Sequence, residues 1–347
     1  MRIAQISPLI FPVPPRDHGG TERVICDLSN GLVAWGHEVT LFASEGSDTS
    51  AELQSQGPCV ASVADAPPSL PSAKECVMLD RVAAWADNFD IIHCHTELYH
   101  AAVLRPWAHK LVMTIHWRAD EQDRKLYFDH FKDLQVVAIS AAQAASLPNE
   151  NCLDVVHHGM PVDQLVLDDG SGGYCAFLGR LTDQKRPDRA IEIAKRVGMP
   201  VKLGGTVDVG NPDYFHLEIS PLLKNDCTYV GPIAQPQKQD FLGKASVFLF
   251  PIDWPEPFGL VMIEAMACGT PVVAWRNGSV EEIIEDGVSG FVVSSIEEAV
   301  RAVERARTLD RSKVRAAFER RFTQDHMVDG YLNAYQTLLQ KSQTRRT

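Results

Sequence analysis

The chain has 347 residues, 45% of them apolar, and carries 33 Lys and Arg against 45 Asp and Glu, a formal charge of −12. That length is comfortable for two domains and large for one, and the apolar share is that of an ordinary globular protein. The acidic balance argues against nucleic acid or an anionic membrane surface as a partner, and no stretch approaches the ~18 consecutive apolar residues of a membrane-spanning helix. Residues 1–165 hold 11 Lys and Arg against 21 Asp and Glu, and the remainder 22 against 24, so nearly all of the net negative charge lies in the first half. The eight cysteines sit in apolar contexts with no C-x-x-C pair, the pattern of reduced core residues rather than a zinc or redox site. The chain opens directly on a strand with no apolar leader, and a cytoplasmic protein is expected.

The first block alternates strand and helix. Residues 3–6 read as a buried strand, and residues 21–35 as a helix with Ile25, Leu28, Leu32 and Trp35 on one face and Gly36 as its stop. The loop 8–18 ends in Gly19-Gly20 at the helix opening, where backbone amides can approach an anion, although such a pair also serves as a plain turn. No G-x-G-x-x-G follows the first strand, which argues against a dinucleotide oxidoreductase. Residues 39–42, 91–95, 111–115, 136–139 and 154–157 read as further strands of a doubly wound parallel sheet. His93 and His95 alternate at one strand end and His116 closes the next. They read as satisfied core histidines or, alternatively, as three zinc ligands of a hydrolase, although no acidic ligand stands beside them at a recognisable spacing.

The polar, glycine-rich residues 168–173 mark a boundary, giving domains 1–168 and 169–322 with a terminal helical segment 323–347. In the second block residues 174–179 form a strand, followed by a loop carrying Arg180, Lys185 and Arg186 and a helix with Ile191, Ala194 and Val197 on one face. Two cations at a strand's carboxyl end can clamp phosphoryl oxygens; a solvated loop is the plain alternative. Leu203-Gly204-Gly205 and Tyr229-Val230-Gly231 end two more strands. Residues 245–251 are a buried strand, 253–257 a loop, and a helix from Phe258 runs to the Cys268-Gly269-Thr270-Pro271 stop before a strand at 272–275. The first-turn amides of that helix, at Phe258, Gly259 and Leu260, would favour an anion. Glu256 before it and Glu264 about two turns inside it can face one ligand, or can be a loop charge and a surface residue. Helices are expected at 296–309, 313–322 and 327–341.

The run from Glu256 to Glu264 around Phe258-Gly259-Leu260 resembles the Glu-x7-Glu signature of the family 4 retaining glycosyltransferases of the GT-B type. Phe177-Leu178-Gly179-Arg180-Leu181, followed after a short gap by Lys185, is similar to that family's Gly-Arg and Lys pair. The resemblance implies an α/β GT-B fold, two Rossmann-like domains facing across a cleft, with the last helix crossing back to the first domain. It implies transfer of a hexosyl group from a nucleotide diphosphate sugar, a UDP-sugar ahead of a GDP-sugar, to a hydroxyl of a small soluble acceptor, with no cofactor. Arg180 and Lys185 would contact the diphosphate, Glu264 the ribose hydroxyls, and Glu256 the transferred sugar. Gly205 would lie beneath the diphosphate, and the backbone at Val230 would read the base. Gly19 and Gly20, with Glu22 following, would close over donor phosphate and acceptor. His116, which ends Val112-Met113-Thr114-Ile115-His116, would hydrogen-bond the transferred sugar. Glu256 and His116 are thus the catalytic candidates. No Asp-x-Asp occurs anywhere, so no metal is expected. The chain departs from the family where Arg186 replaces a usual Gly, Glu281 a usual Pro, and His157-His158 stand before Gly159 in place of an Asn-Gly turn. A nucleotide-sugar epimerase or hydrolase on the same scaffold, or a non-catalytic sugar-nucleotide-binding protein, are the rival readings. The acidic first half favours a neutral or cationic acceptor over an anionic lipid.

Overall fold

The computed structural model describes residues 1–16, 19–224 and 226–344; Asp17 and His18 of the predicted loop, and residues 345–347 of the terminal segment, lie outside the described residues. Contacts divide the chain into two compact units, residues 1–160 with 324–347, and residues 161–323.

The first unit is built on β1 (Arg2–Ile6), β2 (Glu38–Ala43), β3 (Glu52–Ser55), β4 (Ile91–Cys94), β5 (Leu111–Thr114), β6 (Gln135–Ala138) and β7 (Cys152–Val155). They pair in parallel in the order β3-β2-β1-β4-β5-β6-β7. Its helices are α1 (Gly20–Ala34), α2 (Leu70–Trp85), α3 (Tyr99–Val103), α4 (Gln122–His130) and α5 (Ala141–Ala144). The central strands are apolar on both faces because helices cover both, and Ile3, Ile91, Ile92, Leu111, Val112, Val136 and Val137 are all buried.

The second unit repeats the plan with β8 (Cys175–Leu178), β9 (Val201–Gly204), β10 (Cys227–Gly231), β11 (Val247–Phe250), β12 (Val272–Trp275) and β13 (Gly290–Val293). These pair in the order β10-β9-β8-β11-β12-β13. The helices of this unit are α6 (Pro187–Arg196), α7 (Lys238–Gly243), α8 (Leu260–Ala267), α9 (Val280–Ile283), α10 (Ile296–Ala306) and α11 (Arg311–Glu319). The long terminal helix α12 (Gln324–Thr344) packs in the first unit, where Gln324 Nε2 donates to the Asp27 carbonyl and Trp35 Nε1 donates to Asp325 at 3.2 Å.

Both units are the doubly wound parallel sheets expected from the strand pattern. In each the order reverses once, at β1/β4 and at β8/β11, and the crevice at such a switch point is where open α/β sheets bind ligands. The sequence reading left several elements unplaced, among them β3 and α2 besides the shorter helices α3, α4, α5 and α7. Strand β3 is a short, polar edge strand, Glu-Leu-Gln-Ser, with no apolar run to announce it. Helix α2 buries only Met78, Leu79 and Val82, too few for a clear 3.6-residue stripe.

Candidate functional site

At the switch point of the second unit, β8 ends at Leu178 and the chain passes through Gly179 to Arg180. The Arg180 side chain is exposed and has no hydrogen-bond or ion-pair partner among the described residues. Beside it, β9 ends at Gly204 and is followed by Gly205, whose φ is +135°, and a Cβ there would sit 1.8 Å from the Gly179 carbonyl oxygen. Only glycine permits that approach. Gly205 N donates to the Gly231 carbonyl at 2.9 Å, and Tyr229 Oη donates to the Gly205 carbonyl at 2.9 Å. Arg180, Gly205 and the half-exposed Val230 therefore stand at three neighbouring strand ends.

After Arg180, the amides of Lys185 and Arg186 both close onto the Thr182 carbonyl, at 3.1 and 3.0 Å. Arg186 then takes the left-handed conformation, φ 54° and ψ 54°, as the residue preceding α6. This is the physical reason a glycine suits the position, since a side chain there costs about 1–2 kcal/mol. Here the guanidinium offsets the strain by gripping Asp188, at 2.9 Å from Nε and 2.7 Å from Nη2, and Asp253, at 2.9 Å from Nη1. Asp253 N in turn donates to the Gln184 carbonyl at 2.7 Å, so the cation-bearing loop is strapped to the loop that carries Glu256.

Glu256 follows β11 and is 8% exposed. Its carboxylate is paired with Lys185 Nζ and accepts from Trp254 Nε1 at 2.9 Å. The Lys185 ammonium also lies 4.8 Å from the centre of the Trp254 ring and 5.6 Å from that of Phe250. Lys185 and Glu256 thus neutralise one another, and Arg180 is the uncommitted cation of this loop. Glu264 is 7% exposed and pairs with Lys238 Nζ on α7. Sequence reasoning missed Lys238, which carries no motif and lies 26 positions before its partner.

The helix after Glu256 begins later than its pattern predicts. Gly259 precedes it in a left-handed conformation, φ 84° and ψ 65°, and α8 starts at Leu260. Its first-turn donors are therefore the Leu260 and Val261 amides rather than those of Phe258 and Gly259, while Met262 N is occupied by the Gly259 carbonyl at 2.9 Å. Phe258 is a core side chain, 2% exposed. The turn that opens at Gly278 lies against this loop: Gly278 has φ +57°, and a Cβ there would lie 2.3 Å from the Glu256 carbonyl oxygen and 2.4 Å from its amide nitrogen. Ser279 completes the support: its amide donates to the Glu256 carbonyl at 3.0 Å and its hydroxyl to the Phe258 carbonyl at 2.8 Å.

In the first unit the residues after β1 and β4 enclose a cavity of about 530 Å³. Gly19 and Gly20 line it, with Glu22, Glu75, Glu97 and Trp117. Gly19 has φ +143°, and a Cβ there would press on Pro15 and on the Glu22 carboxylate. Burial raises the Glu22 carboxyl above its ordinary range, against hydrogen bonds from backbone amides. Burial raises Glu75 too, opposed by a hydrogen bond from Thr96 and helped by the charge of Glu97. Glu97 pairs with Arg124 at 2.6 Å. No Lys or Arg lines this cavity among the described residues.

His116 follows β5, outside that lining, and its ring stacks on His158 at 5.3 Å. Of the three histidines considered as zinc ligands, His93 and His95 spend both ring nitrogens on other partners and His116 spends its Nε2 on His95. His93 meets Tyr335 Oη and Thr114 Oγ1, and His95 meets Gln5 Oε1 and, at 2.9 Å, His116 Nε2.

Two family models divide the chain between them: residues 168–324 match "Glycosyl transferases group 1", and residues 18–164 match "Glycosyltransferase Family 4". Together they leave out only residues 1–17, 165–167 and 325–347. The chain belongs to the family 4 glycosyltransferases. Among relatives, the D-inositol 3-phosphate glycosyltransferase of Mycobacterium avium (strain 104) is 27% identical over 251 residues, 65% of this chain and 58% of that protein. The protein of the same name from Frankia alni is 29% identical over 357 residues, 85% of this chain and 86% of its own. The chain spans little more than half the length of the first of these and of two further mycobacterial relatives. Among solved structures, AviGT4, a glycosyltransferase involved in avilamycin A biosynthesis, superposes with a TM-score of 0.73 at 21% identity, covering 98% of each chain. Anabaena HepE, solved with UDP and glucose, gives 0.73 at 19% identity over 97% of this chain and 100% of its own. The fold is GT-B. No helix among the described residues is long and apolar enough to cross a membrane.

Proposed function

We propose that this glycosyltransferase moves a hexosyl group from a UDP-sugar to a hydroxyl of a small soluble acceptor, with retention of anomeric configuration and without a bound divalent ion. The observation that carries the reading is the arrangement at the β8/β11 switch point. There an uncommitted guanidinium, Arg180, stands at one strand end, and two buried carboxylates, Glu256 and Glu264, are each held by a lysine, Lys185 from the neighbouring loop and Lys238 from α7. In a transfer with an oxocarbenium-like transition state, negative charge gathers on the departing diphosphate. Arg180 and the first amides of α8 would stabilise that charge, with Lys185 contributing from its place beside Glu256. Glu256 would orient the sugar hydroxyls and offset developing positive charge at the sugar, and the departing phosphate would take the acceptor's proton. Glu264 and Lys238 would meet the ribose hydroxyls, and Gly205 gives the diphosphate a surface without side chains. His116 would hold a hydroxyl of the transferred sugar. The absence of any Asp-x-Asp supports cationic side chains in place of a metal ion. The UDP and glucose held by Anabaena HepE support UDP over GDP.

The acceptor class follows from charge. The relatives are named for a phosphate-bearing cyclitol, whereas the cavity behind Gly19 and Gly20 presents Glu22, Glu75 and Glu97. A phosphate there would meet carboxyl groups and no lining Lys or Arg among the described residues to offset its charge, so a neutral or cationic polyol is the better fit. Thermal-shift titration with UDP, GDP and their sugars identifies the donor, because a ligand that binds only the native state raises its melting temperature. Product analysis by NMR with inositol, an amino sugar and inositol phosphate as acceptors then reads both the linkage and the acceptor charge. Donor consumption with no transfer to any hydroxyl, or turnover abolished by a chelator, would count against this assignment.

A further inference from the structure

Five polar side chains interrupt one face of the apolar sheet in the first unit. Gln5 lies on β1 in register with His93 on β4, and His95 follows His93 at the two-residue spacing that keeps both on one face. Thr114 and His116 share a face of the neighbouring β5 and its continuation, and Tyr331 and Tyr335 of α12 close over the set. Gln5, His93, His95, Thr114, Tyr331 and Tyr335 are all essentially inaccessible to solvent. Burying so many polar groups is tolerable only if each donor meets an acceptor.

The donors and acceptors can be traced one by one. Gln5 Nε2 donates to Tyr335 Oη at 3.1 Å, and Gln5 Oε1 faces His95 Nε2 at 2.8 Å. An amide oxygen only accepts, so His95 bears its proton on Nε2. Burial holds the His95 imidazole well below its ordinary range and that of His116 down to about 3, so each ring is neutral with a single N–H. His95 Nδ1 is then an acceptor, and the nitrogen 2.9 Å away, His116 Nε2, must donate to it. The other branch agrees. Tyr335 donates to His93 Nδ1 at 2.8 Å, His93 Nε2 to Thr114 Oγ1 at 2.7 Å, and Thr114 to Tyr331 Oη at 3.0 Å. No donor is left facing a donor. His116 Nδ1 is the one ring nitrogen of the chain Gln5–His95–His116 with no partner among the described residues, on a partly exposed ring.

We propose that Gln5 and His95 are positioning residues that set the tautomer of His116, keeping its proton on Nε2 and presenting Nδ1 as a hydrogen-bond acceptor for a substrate hydroxyl. The second half rests on the reading of His116 as a sugar-contacting residue; the tautomer relay stands apart from it. With its N–H committed to His95, His116 can receive a hydroxyl proton in a hydrogen bond but cannot donate one, which selects a hydroxyl over a bare ether or carbonyl oxygen at that point of the substrate.

The test is a long-range proton–nitrogen correlation spectrum of the full chain labelled at histidine, with His116 assigned by its loss in His116→Ala. At neutral pH His116 should show a protonated Nε2 and an unprotonated Nδ1; an Nδ1–H form or an equal mixture overturns the proposal. Gln5→Leu, its fold checked by melting, should release the tautomer and lower turnover about a hundredfold with little change in the donor KM. Gln5→Glu keeps an acceptor opposite His95 and should retain the tautomer. Unchanged His116 signals in Gln5→Leu also overturn the relay, and if that variant does not fold, the wild-type spectrum decides. Absence of glycosyl transfer by a wild-type protein that shows the expected tautomer would sink the functional reading and leave the relay standing.

Discussion

Replacing Gly278 by alanine should disable the site while leaving both sheets intact. The added Cβ would stand 2.3 Å from the Glu256 carbonyl oxygen, where ordinary contact begins at 3.4 Å, so one side must yield by about 1.1 Å. The obstacle is backbone on a loop tethered by Ser279 and by the Asp253 strap, and the compliant partner is the Glu256 loop itself. A shift of about 1 Å in a substrate-positioning group costs on the order of a hundredfold in rate. The positive φ of 57° adds about 1–2 kcal/mol of strain, a stability loss separate from the catalytic one. Gly287→Ala separates the two effects, because Gly287 also has a positive φ, 77°, but a Cβ there meets nothing within 4 Å. Steady-state kcat/KM for the donor, measured with melting curves for both variants, should show about a hundredfold loss for Gly278→Ala and none for Gly287→Ala, with comparable strain costs in stability. Near-wild-type kcat/KM for a folded Gly278→Ala would refute the claim that this turn holds Glu256 in place.

Other expectations follow from the same contacts. Arg180→Ala should weaken UDP binding by about tenfold or more in calorimetry while changing stability by less than about 0.5 kcal/mol, since the side chain has no partner to lose. Lys185→Met should cost about 3 kcal/mol in denaturant unfolding by stranding the Glu256 carboxylate, and Lys185→Met with Glu256→Gln should recover part of that; a purely additive double variant would argue against the pairing. Arg186→Gly should be tolerated better than Arg186→Ala, because both variants lose the two carboxylate partners but only glycine removes the left-handed strain; the reverse order would contradict that strain. His100 and His116 are both held down to about 3 by burial, so each of these two side chains binds more protons in the unfolded than in the folded chain between pH 3 and 6.5. Their contribution to stability is therefore fully present above about pH 6.5 and is lost as pH drops, by about 2 kcal/mol per histidine at pH 5. Melting temperatures that stay flat from pH 7 to 5 would contradict that burial.

Local chemistry made much of the fold legible. Parallel strands buried on both faces appear as short continuous apolar runs such as Val247–Phe250, and Gly-Pro punctuation such as Gly269-Thr270-Pro271 ends the helix between them. Periodicity failed where burial is shallow, at the polar edge strand β3 and the weakly striped α2. It also misplaced the start of α8, because Phe258 fits an apolar helix pattern while Gly259 adopts a left-handed conformation that no helix interior contains. The departure at Arg186 was visible as a missing glycine, but its compensation by Asp188 and Asp253 was not, since Asp253 lies 67 positions away.

The amino-acid order alone determined the alternation of elements, the class of each sheet and the eight-residue spacing of Glu256 and Glu264, because these depend on neighbours within a few turns of chain. Tertiary structure decided which charges are spent and which remain free. Lys185 is committed to Glu256 and Lys238 to Glu264, while Arg180 is uncommitted, and Gln5 reaches Tyr335 across 330 positions to organise the histidines. Such pairings depend on the order in which parallel strands lie side by side, and that order places far-separated loops at one switch point without leaving a periodic trace in the residues themselves.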